Sequence, residues 1–183
     1  MAVLTLRLNG DGTLELSKST GTQAYILLDE SVLDEADYVY ISGSSTATQT
    51  DNYALANHST ESDTINSVTL KAYSKEVATG SDATHASIKF GVRMEATNYL
   101  GSAQNLTTTT ALYSATWATN PNTGSAWTWT NIDALIPILQ LYMHASDKSN
   151  YNVPRCFMFW VEVTYGETGG GVVMPIFTYY YEG

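Results

Sequence analysis

Apolar and polar residues alternate with a period of two along much of this chain. In INSVTLKAYSK, Val68, Leu70 and Ala72 fall on one side, and Thr69, Lys71 and Tyr73 on the other. ASIKFGVRMEA repeats the pattern, setting Ile88, Phe90, Val92 and Met94 against Lys89, Arg93 and Glu95. Successive side chains of a strand point to opposite faces, so both segments predict half-buried strands. Leu4, Leu6 and Leu8 alternate in the same way. Asn9-Gly10-Asp11-Gly12 then predicts a hairpin turn into a second strand around Leu14 and Leu16, because Asn-Gly and Asp-Gly tolerate positive φ. AYILLDE (24–30), DYVYIS (37–42), a segment near Tyr53 and Leu55, and Tyr99-Leu100 read as further strands. So does the Thr-rich run that places Ala111, Tyr113, Ala115 and Trp117 on one side. RCFMFWVEVTY (155–165) is apolar on both faces.

Between these strands, NPNTGSAWTWTNIDAL (120–135) combines a turn, a tryptophan pair and a helical turn. Thr130 followed three residues later by Asp133 predicts a capped helix near residues 130–136, and Pro137 limits it to a short turn before LQLYM resumes as strand. The total of about eight to ten strands with one short helix predicts an all-β, two-sheet antiparallel sandwich. It spans residues 1–165. The texture then changes to a Gly-rich hinge and a β-prone tail, residues 166–183, ending in VVMPIFTYYYEG.

Composition narrows the partners. The 183 residues carry 8 Lys and Arg against 18 Asp and Glu, a net charge of −10. Such a surface repels phosphate backbones, so no nucleic-acid partner is expected. No run approaches the ~18 apolar residues of a membrane span, so no membrane partner is expected either. A chain of this length buries roughly 70% of its unfolded surface and needs no disulfide framework. The single cysteine, Cys156, sits beside Phe157 in the aromatic strand and reads as a small buried apolar residue. The N-terminus alternates like a strand and lacks the basic and apolar regions of a signal peptide, which points to synthesis in the cytoplasm and another route outward.

Catalytic machinery is not legible. His58, His85 and His144 are far apart, and the chain contains no HExxH, GxSxG, CxxC, P-loop or dinucleotide motif. Glu95 and Glu162 are the carboxylates that a glycosidase reading would need to pair, yet each reads as the polar partner in an alternating strand. Five carboxylates at Asp29, Glu30, Asp34, Glu35 and Asp37 raise the question of a hard cation but read as a solvated loop. Asn57-His58-Ser59 and Asn105-Leu106-Thr107 match the glycosylation acceptor pattern, which recurs by chance in Ser- and Thr-rich chains. Among the tryptophans, Trp117 and Trp160 read as core. Trp127 and Trp129, placed on one side by strand alternation, either plug the end of the sandwich or form a glycan-stacking platform. No catalytic residue, metal ligand or cofactor is assigned.

The segments LRLNGDGT, LELSKSTGTQAYILLDE, DNYALANHSTESDTINSVTLKAYSK, WATNPNTGSAWTWTNIDAL and RCFMFWVEVTY together resemble a β-sandwich module of tailed-virus structural and decoration proteins and of large microbial surface proteins. That module is in turn similar to jelly-roll carbohydrate-binding modules. The resemblance covers Leu4 to about Tyr165, and the tail departs from it. It implies a jelly-roll-like sandwich and a non-enzymatic virion structural protein of a bacteriophage, a capsid decoration or cement protein at the virion surface. A carbohydrate- or receptor-binding module of a tail fibre or cell-surface protein is the alternative. The expected partners are a major capsid protein or other virion proteins, further copies of the chain in a closed homo-oligomer such as a trimer, and surface glycans in the alternative. Contacts are expected from Met174, Ile176, Phe177, Tyr179, Tyr180 and Tyr181 of the tail, which is either an extra edge strand or an arm that pairs with a neighbouring subunit.

Overall fold

The structure is a computed structural model that describes residues 1–21, 23–80 and 84–166. The chain begins with β1 (Ala2–Leu6), β2 (Leu8–Asp11), β3 (Ser17–Lys18), α1 (Ala24–Leu28), β4 (Val39–Tyr40) and β5 (Ala47–Leu55). It continues through β6 (Ile65–Thr79), β7 (Ser87–Met94), β8 (Thr97–Leu100), β9 (Gln104–Asn105) and β10 (Ala111–Trp117). It closes with α2 (Trp129–Asp133), β11 (Ile136–Ala145) and β12 (Tyr151–Tyr165).

Among the described residues all strand pairings are antiparallel, and they form one curled sheet that folds over itself as an all-β, sandwich-like structure. In one layer β6 lies between β10 and β12. The opposite edge of β12 is shared in succession by β11, β4 and β1. In the other layer β11 lies between β5 and β7; β2 pairs with β5, and β8 and β9 pair with β7. The layers join where His144 and Ala145 of β11 meet Asn152 and Tyr151 of β12.

The interior follows the period-two pattern. Val68, Leu70 and Ala72 of β6, and Ile88, Phe90, Val92 and Met94 of β7, are all buried. Phe159 bridges the layers, with ring centroids 6.0 Å from Phe90 and 5.9 Å from Tyr53. A register shift between Cys156 and Met158 explains why β12 is apolar on both faces. It puts Cys156, Phe159, Val161 and Val163 in the core, while Phe157 packs under Tyr38 with centroids 5.9 Å apart. The loop before β4 thus covers part of the outer face of β12. Burial pushes the Cys156 thiol up to about 12.

Several elements differ from the sequence expectation. Residues 24–28 of AYILLDE form helix α1 rather than a strand. An unbroken apolar run does not distinguish the two periods, and the decisive interaction is remote. The carboxylate of Asp11 accepts from the N–H groups of Ala24 (2.9 Å) and Tyr25 (2.7 Å), satisfying helix-terminal donors that Gln23 leaves uncapped. Asn9-Gly10-Asp11 is likewise not a hairpin turn: it continues as β2 against β5, with a bulge between Leu8 and Gly10. Gly12 lies against the Asn52 carbonyl, where an added Cβ would sit 2.8 Å from the oxygen. No second strand forms around Leu14 and Leu16; there the Asp51 carboxylate holds the backbone N–H groups of Glu15 (2.7 Å) and Leu16 (2.9 Å).

The described residues hold two short helices, not one, and the second is α2. Its cap is Thr128, not Thr130: Thr128 accepts from the Asn131 N–H (3.2 Å), and the Asn131 side chain accepts from the Thr128 N–H (3.1 Å). Pro137 falls inside β11 opposite Val92, and pairing with β5 starts only at Ile138, so its missing N–H leaves no gap in that second ladder. Glu95 occupies the tight turn between β7 and β8 with φ 56, not an outward strand position.

Candidate functional site

The expected tryptophan pair lies at one end of the sandwich. Trp127 is buried and donates its indole N–H to the Trp117 carbonyl at 3.1 Å. Trp129 opens α2, so strand alternation does not govern the pair. Trp129 is half-buried and donates to the Asp63 carbonyl at 2.9 Å. One face of its ring stacks on His58 (centroids 4.9 Å, 26°), and Tyr165 meets it edge-on at 5.3 Å. His58 Nδ1 is 2.7 Å from Asp133 Oδ1, and the His58 backbone N–H donates to the same oxygen at 3.1 Å. The hydrogen bond from His58 holds the Asp133 carboxyl below its ordinary range.

Sequence reasoning did not find this His58–Asp133–Trp129 cluster. Its members come from the loop after β5 and from α2, and no local motif links residues so far apart. Chemically, it offers an aromatic edge and an oriented imidazole.

Other residues singled out in the sequence are dispersed. Trp117 is half-buried against the core. Trp160 is buried on the outer face of β12, where Tyr73 (5.8 Å) and the Arg7 guanidinium (5.7 Å) pack on it. Its indole N–H donates to Glu162 at 3.0 Å, and Glu162 also pairs with Lys71 at 2.7 Å. Burial alone would raise Glu162, but Lys71 and Trp160 together bring it below the ordinary range. Glu95 and Glu162 belong to different layers. His85 pairs with buried Glu76 at 2.7 Å, and the Ala86 N–H donates to the same carboxylate, tying the start of β7 to β6.

The acidic loop is partly tied down. Glu35 pairs with Lys75 and accepts from the Thr110 hydroxyl, which holds its carboxyl below the ordinary range. Carboxylate oxygens of Glu30, Asp34 and Asp37 lie within 4.8 Å of one another. Partial burial, then Asp34 and Asp37, raises Glu30.

Gly166, the last described residue, is held in place. The Gly166 N–H donates to the Thr64 carbonyl (2.9 Å), and its own carbonyl accepts from the Asn66 amide (2.9 Å). Its φ of +91 suits glycine, and it sits beside the start of β1. Among the described residues β1 pairs only with β12, and Met1 and Val3 are exposed. Met174, Ile176, Phe177, Tyr179, Tyr180 and Tyr181 lie outside the described residues.

Fold and site together define the class: an all-β, sandwich-like protein with an aromatic cluster at one end. Comparison with protein-family models finds no match, and comparison with curated proteins finds none.

Proposed function

We propose that this chain is a non-enzymatic structural protein of the virion surface, a capsid decoration or cement protein that binds neighbouring subunits through its C-terminal arm. The observation that carries the arm is the exit at Gly166. It starts an aromatic, β-prone segment from a defined point, next to a strand with one edge unpaired among the described residues. An arm released from a fixed point loses less freedom on docking than one on a loose linker. Burying it on a neighbour stabilises the assembled state by mass action. The assignment to a virion rests on the resemblance of the segments between Leu4 and Tyr165.

The test compares the full chain with a variant lacking residues 169–183 by multi-angle light scattering. The arm predicts an oligomer for the full chain and a smaller species for the truncation; an unchanged mass overturns it. The half-exposed Trp129 favours the second reading, a glycan- or receptor-binding module. A glycan array that responds to wild type but not to Trp129→Ala would support that reading.

A further inference from the structure

Two opposite faces of the sandwich are complementary in charge. The acidic loop after α1 lies over the β6–β12 layer, held there by Glu35 on Lys75 and by Tyr38 on Phe157. It presents Val32, 76% exposed, and Leu33, 37% exposed, in the short stretch between Glu30 and Asp34. The loop is fixed near both ends: the Arg7 guanidinium donates to the Glu30 carbonyl at 2.6 Å, and the Thr20 hydroxyl donates to Asp37 at 2.9 Å. Glu30, Asp34 and Asp37 crowd their carboxylates within 4.8 Å of one another, and none of the three makes an ion pair among the described residues. Such a loop offers apolar side chains in a preorganised acidic frame.

The outer face of the β5–β11–β7 layer has the reverse character. Strand alternation turns Ile88, Phe90, Leu139 and Leu141 into the core and leaves Lys89 and Arg93 outside. Hydroxyls and amides such as Thr50, Ser87 and Gln140 surround the two cations, and no outward position of these three strands holds a carboxylate. Glu15 flanks the β5 edge, where it accepts from the Thr50 N–H at 2.7 Å. Neither Lys89 nor Arg93 makes an ion pair among the described residues. Next to Arg93, Ala54 and Ile136 line an open cavity of about 200 Å³ with room for an aliphatic side chain. On a chain of net charge −10, the partner that this cationic, carboxylate-free face fits is an acidic one.

The chain itself carries that partner, but on its opposite layer, where it cannot reach its own face. We propose that copies of this protein associate head to tail, the loop 30–34 of one copy docking on the β5–β11–β7 face of the next. Val32 enters the cavity beside Ile136, and Glu30 and Asp34 meet Lys89 and Arg93. A contact between two different patches is heterologous, so it propagates as a stack or closes as a ring. It uses no residue of the C-terminal arm, and the failure of either reading leaves the other standing.

Sedimentation velocity of the full chain in EDTA tests the contact. The mass of wild type is expected to rise with concentration in the micromolar range, and less so at high salt. Asp34→Lys and Lys89→Glu should each weaken this association at least about tenfold, because each sets like charges against one another. An equimolar mixture of the two variants should form a one-to-one complex that neither forms alone, since the intact loop of Lys89→Glu meets the intact face of Asp34→Lys. Val32→Ser, which leaves the charges alone, should also weaken association and provides the reading if a charge reversal does not fold. A wild-type mass independent of concentration, unchanged association in the folded variants, a mixture no larger than its components, or association that requires added calcium overturns the proposal.

Discussion

Removing the Asp51 carboxylate should unfold the corner that replaces the expected second strand. Asp51 is fully buried on β5. One oxygen accepts from the Glu15 and Leu16 N–H groups, and the other accepts from the buried Tyr53 hydroxyl at 2.8 Å. Hydrogen bonds to a charged group contribute about 1.5–3 kcal/mol each, and removing the acceptor leaves three donors unmet, two of them in the interior. Against this stands the cost of burying the charge, which raises the Asp51 carboxyl above its ordinary value despite the three donors. The balance for Asp51→Ala is a destabilisation of about 3–5 kcal/mol. For a chain of this length that lowers Tm by roughly 6–20 °C.

Asp51→Asn separates the two contributions. It keeps the oxygen that serves Glu15 and Leu16, removes the charge, and disturbs only the Tyr53 bond, so its cost at neutral pH should be under about 2 kcal/mol. The pH dependence has a definite sign. Because the folded-state value is raised, the folded state holds the proton more tightly than the unfolded state. Wild type should therefore gain stability relative to Asp51→Asn as pH falls from 7 through the folded value toward the ordinary carboxylate value of ~3.9. Urea unfolding of wild type and both variants at several pH values provides the measurement. A cost below about 1 kcal/mol for Asp51→Ala, or a pH trend of the opposite sign, would refute the reasoning.

Two further outcomes concern the same fold. Thr128→Ala removes one half of the reciprocal cap on α2 and should cost about 1 kcal/mol, while Thr130→Ala should cost less; thermal unfolding distinguishes them. Cys156, buried and with its thiol pushed up to about 12, should resist iodoacetamide in the native protein at pH 8 and react once urea unfolds the chain, as mass spectrometry would show.

The strands of the core could be read directly from the sequence. Val68, Leu70 and Ala72, and Ile88 through Met94, carry a period-two signal strong enough to set strand, face and burial, because a one-residue slip would turn every apolar side chain to solvent. The burial of Cys156 and a helical turn near residue 130 were legible for similar local reasons. Where local signals were ambiguous or weak, a distant group decided the outcome. AYILL suited strand or helix until Asp11, thirteen residues earlier, supplied its cap. Asn-Gly-Asp-Gly had turn chemistry, but Gly12 and the Asn52 carbonyl pulled it into a ladder with β5.

The sites were less legible still. The sequence indicated Trp127 and Trp129 but not that one would be buried and the other would stack on His58. By itself the sequence determined an all-β chain with alternating strands, a negative surface and an aromatic tail, because these follow from side-chain period and charge. Only the tertiary structure decided which carboxylates cap, which cations pair with them and which tryptophan is buried, because each depends on residues that the antiparallel register brings together across long stretches of chain.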